Sequence, residues 1–299
     1  MSSSIQCPVK INLALQVGEV QPDGYHPVDS LCVFMAGGDR LTLSPSSTER
    51  FTLQLSGPYG KALEETISQN LVLKAARLYA KATSVPVVDF HLYKSVPPAS
   101  GIGGGTANGA AALYLLNQQA AVPLSLSALV SLSEKLGADG PVCMQRFLSS
   151  AQSLRVKGIG EVVDAGPKLP PLFMCLANGG RAVSTAKVFQ RFDEKAPASP
   201  FPLTLPQRIS SYYELAGLLA GTRNDLRAPA FSVAPDILET EKRMKAQSGC
   251  IFARMSGSGG TVFGLFPSSI AAKLAQQCFS GRHHWSVAGP LWSHRQGEG

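Results

Sequence analysis

The sequence predicts an α+β fold divided into two domains, and three observations carry that reading. Alternating runs and helical stripes follow one another in no fixed order in either half, unlike the regular repeat of a doubly wound parallel sheet. A strand, a glycine-rich loop and a helix stand in that order over 87–118. Around Gly158–Pro171 the composition turns to glycine, proline and lysine, which sets a boundary between 1–163 and 164–299. A chain of 299 residues has room for both domains, and at this length about three quarters of the unfolded surface can be buried.

The first strand is read at Gln6–Val17. There Val9, Ile11, Leu13, Leu15 and Val17 alternate with Lys10, Asn12 and Gln16, so one face meets the core and Lys10 and Asn12 share the other. Gln21-Pro22-Asp23-Gly24 closes a turn, its Asp-Gly pair favouring positive φ. Leu31–Met35 and Phe51–Leu55 alternate as strands. Asn70–Ala82 predicts a helix with Leu71, Ala75, Leu78 and Ala82 on one stripe, and Val87–Tyr93 a further strand. After the glycine loop, helix formers run on from Ala110. Ser125–Leu136 is a helix closed by Gly137. Asp139-Gly140-Pro141 opens the next, with Asp139 as N-cap and Pro141 in the first turn. Beyond the boundary come a strand at Leu172–Ala177, a helix from Ser184 or Thr185 and a proline-rich connector at Ala196–Pro206. A helix at Ala234–Gln247 and a strand–glycine turn–strand unit at Ile251–Phe266 follow. The tail after Gly281, with Trp285 and Trp292, reads as a final strand or as an interaction surface.

An apolar fraction of 44% and a charged fraction of 16% exclude disorder. No apolar run reaches the length of a membrane span, and the start MSSSIQCPVKINL carries neither a signal core nor a transit segment. A cytoplasmic protein with no membrane partner is expected. Six cysteines stand singly, without a metal or disulfide spacing, and are expected as buried free thiols. His283 and His284 are adjacent and so point different ways. No transition-metal ligand set is expected. The net charge of +7 suits an anionic ligand such as a nucleotide. Dispersed Lys and Arg, with no basic run interleaved with aromatics, argue against nucleic acid.

The strongest chemical signal is Gly101-Ile102-Gly103-Gly104-Gly105-Thr106. Glycines let backbone N–H groups converge on one point, and the helix that follows adds roughly half a positive charge there. The run ends in no Gly-Lys-Ser/Thr and does not fit G-x-G-x-x-G, so it is neither standard phosphate motif. Its glycines alone divide evenly between a hinge and a phosphate cradle; Thr106, Asn108 and the helix favour the cradle. Taken singly, Lys10 reads as a solvated edge lysine and Asp139 as an N-cap worth about 1 kcal/mol. Met255-Ser256-Gly257-Ser258-Gly259-Gly260 reads as a hairpin turn, or as a second loop approaching the ligand. Asn224-Asp225-Leu226 reads as a helix start.

In order, these segments resemble the motif series of the GHMP kinases: Lys10-Ile-Asn12, Pro22-Asp-Gly-Tyr25-His26, Gly101–Asn108, Leu136-Gly-Ala-Asp139, Val183–Phe189, Asn224–Leu226 and Met255–Gly259. The resemblance runs nearly end to end, from Cys7 to Phe266. Pro22–His26 narrows it to the branch that acts on a cytidyl diphosphate alcohol of the non-mevalonate isoprenoid route. It implies a two-domain GHMP kinase fold with the active site in the interdomain cleft, ATP bound by 1–163 and the acceptor by 164–299. It implies phosphorylation of a 2-hydroxyl on the methylerythritol portion, Mg²⁺ arriving with the nucleotide, and a monomer or homodimer. Asp139 is then the catalytic base and Lys10 the charge beside it. Asn12 holds the methylerythritol end, Tyr25 and Phe189 sandwich the cytosine, His26 bonds its polar edge, and Thr185 stands near. ATP is received by Pro98, Ala99, Ser100, Gly101, Ile102, Gly103, Gly104, Gly105, Thr106, Ala107 and Asn108. Its adenosine is received by Asn70, Leu71 and Lys94. Three positions depart from the family's usual pattern: Thr106-Ala107 replaces two serines, Gly140 a β-branched residue, and Ala177-Asn178-Gly179-Gly180 a proline-glycine turn.

Two other functions fit the residues less well. A GHMP kinase for homoserine or a mevalonate-like acceptor has no use for a clamp of Tyr25, His26 and Phe189. A scaffold that binds nucleic acid or protein would leave Lys10 and Asp139 without a task.

Overall fold

The computed structural model of the chain describes residues 2–194, 202–281 and 285–292. In chain order it runs β1 (Ser3–Gln6), β2 (Val9–Val17), β3 (Val28–Met35), β4 (Arg40–Pro45), β5 (Thr52–Ser56), a 3-10 segment (Lys61–Gln69), α1 (Leu71–Ala82) and β6 (Val88–Tyr93). Then come α2 (Gly104–Gln119), α3 (Leu126–Glu134), α4 (Gly140–Leu148), β7 (Ser153–Gly158), β8 (Val162–Ala165), β9 (Phe173–Asn178) and α5 (Thr185–Asp193). The chain closes with α6 (Tyr212–Ala220), α7 (Arg227–Val233), α8 (Asp236–Lys245), β10 (Phe252–Met255), β11 (Thr261–Phe266), α9 (Ser269–Cys278) and β12 (Trp285–Pro290).

The strands form three four-stranded sheets, in the orders β1-β4-β6-β5, β2-β3-β7-β8 and β10-β11-β9-β12. Only β5–β6 is parallel among their pairings. Helices α1 to α4 pack on the first sheet through Tyr79, Leu113, Phe90 and Phe147. Helices α5, α7, α8 and α9 cover one face of the last sheet through Val188, Ala230, Met244 and Ala275. A third core, between β2 and the last sheet, is built from Val9, Ile11, Leu13, Leu176 and Phe263. The α+β expectation holds.

Several boundaries differ from the reading of the sequence. The first strand is two, β1 and β2, and all nine residues of β2 are buried, so it has no solvent face. Alternation marks which residues point which way, but not whether the second side is covered. Helix α2 begins at Gly104, not Ala110, because its glycines start the first turn from Gly103 in the left-handed region at φ 65°. The buried side of α1 is Val72, Leu73, Ala75, Ala76 and Tyr79, rotated from the expected stripe; Ala82 is exposed. The segment read as a boundary contains β8, paired with β7, so part of it is sheet rather than linker. Strands β4 and β7 and helices α6 and α9 lacked a strong enough pattern to be read, whereas the helix start at Asn224–Leu226 leads into α7. The tail forms β12 on the edge of β9. Cys7, Cys32, Cys143 and Cys175 are buried, whereas Cys250 is half-buried and Cys278 exposed. Connector residues 196–201, the adjacent His283 and His284, and the tail past Trp292 lie outside the described residues.

Candidate active site

Strand β2 turns Val9, Ile11 and Leu13 into the central core, which aims Lys10 and Asn12 the other way. The backbone N–H of Lys10 donates to the Ile102 carbonyl at 3.2 Å, so the glycine loop lies directly on this strand. At the far side α4 begins. Asp139 occupies its N-cap position but makes no capping bond. Its Oδ1 instead accepts from Lys10 Nζ at 2.5 Å. The plain N-cap reading of Asp139 and the solvated-edge reading of Lys10 both fail on that contact. Gly140 suits the turn: a Cβ there would stand 1.8 Å from the Ser133 carbonyl oxygen.

Both groups face the loop. A Cβ placed on Gly103 would lie 3.4 Å from Asp139 Oδ2 and 3.5 Å from Lys10 Cβ. Burial by itself would lower the Lys10 pKa, but the carboxylate beside it more than offsets this and holds the ammonium above the ordinary lysine range. The neighbouring thiols of Cys32 and Cys143 are pushed up by burial and stay protonated.

Two cavities meet at this point. One, of about 440 Å³, is lined by Asn70, Leu71 and Lys94 and by the loop from Pro98 through Thr106, together with Asn108. Ala107 is turned into the core, at 1% exposure, and lines neither cavity. Asn70 caps α1, its Oδ1 accepting from the Val72 N–H. Ala99 takes φ 52°, a conformation costly for a residue with a Cβ. Gly103 caps α2 without a side chain, which leaves the first N–H groups of that helix without capping partners from it. Lys94 is 2% exposed and paired with the buried Asp39.

The other cavity, of about 660 Å³, contains Lys10, Asn12, Tyr25, His26, Asp139, Thr185 and Phe189, and shares Gly101, Gly103 and Thr106 with the first. Asn12 Nδ2 donates to Ser30 Oγ, whereas its buried Oδ1 has no hydrogen-bond partner among the described residues. Tyr25 stands on the turn after Gly24 and is 59% exposed at the rim. The His26 ring lies 5.1 Å from that of Phe189. Its Nδ1 faces the Gly18 carbonyl at 2.9 Å and its Nε2 faces Asp193 Oδ1 at 3.2 Å, so both ring nitrogens are already engaged. Thr185 Oγ1 and Ser258 Oγ share a hydrogen bond of 2.8 Å.

The second glycine cluster joins β10 to β11 as a hairpin and also reaches the site, through Gly257 and Ser258. Asn224, which precedes α7, donates to the Met255 and Gly257 carbonyls and fixes that turn. The Asn178 turn does similar work: its Nδ2 donates to Thr261 Oγ1, and Thr261 donates to the Ser100 carbonyl. Sequence reasoning left out Asp39 and Asp193, and named Asn224 and Ser258 only as members of a helix start and a glycine turn. Only the side chains they meet, far off in the chain, give them a role.

Comparison with known proteins gives the same direction. Residues 70–145 match the GHMP kinases N terminal domain and residues 207–283 the GHMP kinases C terminal domain. A 4-diphosphocytidyl-2-C-methyl-D-erythritol kinase from Cereibacter sphaeroides is 42% identical over 92% of this chain and 93% of its own. One from Paramagnetospirillum magneticum is 39% identical over 96% and 97%. A crystal structure of 4-(cytidine 5'-diphospho)-2C-methyl-D-erythritol kinase superposes with a TM-score of 0.72 at 29% identity, covering all of both chains. A homoserine kinase from Cytophaga hutchinsonii shares the fold, with a TM-score of 0.68 at 16% identity.

Proposed function

The chain belongs to the GHMP kinases, and among them to the 4-diphosphocytidyl-2-C-methyl-D-erythritol kinases; from that premise we propose how its residues carry out the transfer. The reaction is ATP-dependent phosphorylation of 4-diphosphocytidyl-2-C-methyl-D-erythritol in the non-mevalonate isoprenoid pathway. The observation that carries the mechanism is the Lys10–Asp139 pair facing Gly103 where the two cavities join.

ATP occupies the smaller cavity, its phosphates against Gly103–Thr106 and the first turn of α2, its adenosine towards Asn70, Leu71 and the chain at Lys94. The cytidyl substrate fills the larger one, with its 2-hydroxyl at Asp139. Asp139 accepts the hydroxyl proton as the oxygen attacks the γ-phosphorus. The bond from that phosphorus to the bridging oxygen breaks, and ADP leaves with the electron pair. Lys10, in contact with Asp139, offsets the charge growing on the acceptor oxygen. Most of the remaining acceleration is positioning.

The hard hydroxyl oxygen of Thr106, at the junction, fits Mg²⁺ arriving on the nucleotide, which when bound would neutralise phosphate charge. Asn12 Oδ1, buried and without a hydrogen-bond partner among the described residues, is suited to accept a bond from the polyol. Phe189 and Tyr25 offer the faces for the cytosine. With its ring nitrogens engaged, His26 supplies a wall there rather than a free side-chain donor. The division into 1–163 for ATP and 164–299 for the acceptor is retained with one amendment. Tyr25 and His26 of the first part belong to the acceptor side, and Gly257 of the second reaches it from opposite.

The test is ADP release with three acceptors: the cytidyl methylerythritol, homoserine and mevalonate. Turnover with the first alone, inhibited by CDP, is the expected result. Turnover with homoserine insensitive to CDP would overturn the clamp.

A further inference from the structure

Asp39 stands just before β4 and is 1% exposed. A carboxylate so buried is costly unless its oxygens are saturated with donors. They are. Oδ1 accepts from the backbone N–H groups of Ser95 at 2.8 Å and Val96 at 3.0 Å. Oδ2 accepts from Lys94 Nζ at 2.5 Å and Asn108 Nδ2 at 3.0 Å.

Those donors come from two places only. Residues 94–96 lead into the glycine loop, and Asn108 sits on the helix that leaves it. One carboxylate therefore holds both ends of the loop. It also lies beneath the first turn of α2: a Cβ on Gly104 would stand 3.5 Å from Lys94 Nζ and 3.9 Å from Asp39 Oδ2. The entry strand is fastened twice more, by Ser95 Oγ donating to the Gly38 carbonyl and Trp285 Nε1 donating to the Ser95 carbonyl. Because Lys94 is neutralised by Asp39 at contact distance, it contributes little net charge beneath the phosphates. What the pair contributes is the height and angle of the loop.

We propose that Asp39 is a positioning residue for the nucleotide, fixing loop 97–103 against α2 so that its N–H groups converge on the phosphates. This rests on the assignment of the smaller cavity to ATP. Lys94 then acts through the loop as Asp39's partner.

Asp39→Asn keeps the shape and one acceptor oxygen but sets an amide N–H against Lys94. The expected result is an ATP KM, and a Kd for a non-hydrolysable ATP analogue by calorimetry, raised about tenfold or more. KM for the cytidyl substrate should stay within about twofold. Asn108→Ala removes a single bond to the same carboxylate and should raise the ATP KM by about two- to fivefold, again alone. Asn108 also lines the ATP cavity, whereas Ser95 lines neither cavity. Ser95→Ala, which loses only the bond to the Gly38 carbonyl, therefore decides the matter if Asp39→Asn does not fold: a similar rise in the ATP KM alone is expected. Folded variants with unchanged ATP KM, or with both KM values raised equally, would overturn the proposal and leave Asp39 as a structural ion pair. If the unaltered protein binds no ATP analogue, the assignment of the cavity is at fault instead.

Discussion

Lys10 Nζ and Asp139 Oδ1 lie 2.5 Å apart across 129 residues of chain, and the two partners are unequally exposed. The lysine side chain is 8% exposed, the carboxylate 38%. Lys10 is thus anchored in the wall of the site, while Asp139 presents its remaining oxygen to the cavity. An anchored cation beside a presented carboxylate is an arrangement that orients a base and still lets it reach a substrate.

Replacing Asp139 by Asn keeps the size of the side chain and removes its ability to take a proton. Because Asp139 makes no capping bond to α4, the substitution costs the helix little. The expected fall in kcat is about 10²- to 10⁴-fold, with ATP binding nearly intact by calorimetry. Full retention of kcat would show that another group accepts the proton.

The pH behaviour of Lys10 follows from its raised pKa. A base whose pKa is higher in the folded than in the unfolded state stabilises the fold fully below the unfolded value, near 10.4, and loses that contribution as pH climbs through the folded one. Between about pH 7 and 10 the ion pair should therefore stay intact, with no loss of kcat from lysine deprotonation. A basic limb in the pH–rate profile near pH 8 that vanishes in Lys10→Arg would show a much weaker hold on the proton.

How far the site could be read from the sequence depended on how local each signal was. The glycine loop announced itself, since its conformation and its composition are the same fact. Alternation along β2 showed that Lys10 and Asn12 share a face, but not that the face is covered, because the cover comes from Gly103 and Asp139. Tyr25 and His26 gained meaning only as part of a family pattern. Asp39 had none. Three of its four donors come from 94–96, beyond three strands, the 3-10 segment and α1. The late start given to α2 has a different cause. Glycine is a poor helix former, yet here open N–H groups at the first turn are what the loop provides.

Two loop glycines should respond oppositely to alanine. Gly101 sits at φ 74°, and a Cβ there would fall 2.2 Å from the Gly259 carbonyl oxygen, so Gly101→Ala must push the two glycine turns apart. A lowered Tm together with weakened use of both substrates is expected. At Gly105 the nearest atom to a Cβ is Leu71 Cδ1 at 3.8 Å, ordinary contact. Gly105→Ala should leave Tm unchanged or slightly raised, yet raise the ATP KM, because the added methyl projects where phosphates approach. An unaltered ATP KM in a fully folded Gly105→Ala protein would place the phosphates elsewhere.

Phe189 tests the acceptor side without disturbing the fold. It is half-buried on α5, whose hold on the core comes from Val188 and Phe192, at 0% and 5% exposure. Its ring packs against His26, and His26 keeps its bonds to Gly18 and Asp193 when the phenyl group is removed. Phe189→Ala should therefore unfold at nearly the same temperature. Loss of one aromatic face against a base costs about 1–3 kcal/mol, which corresponds to roughly a 5- to 150-fold rise in KM for the cytidyl substrate. The ATP KM should not follow, since Phe189 lines only the larger cavity. Phe189→Tyr, which retains the ring, should behave almost as the unaltered protein does. If Phe189→Ala raised both KM values alike, the phenyl group would be supporting the junction of the cavities, and recognition of cytosine would have to come from Tyr25 and the His26 wall.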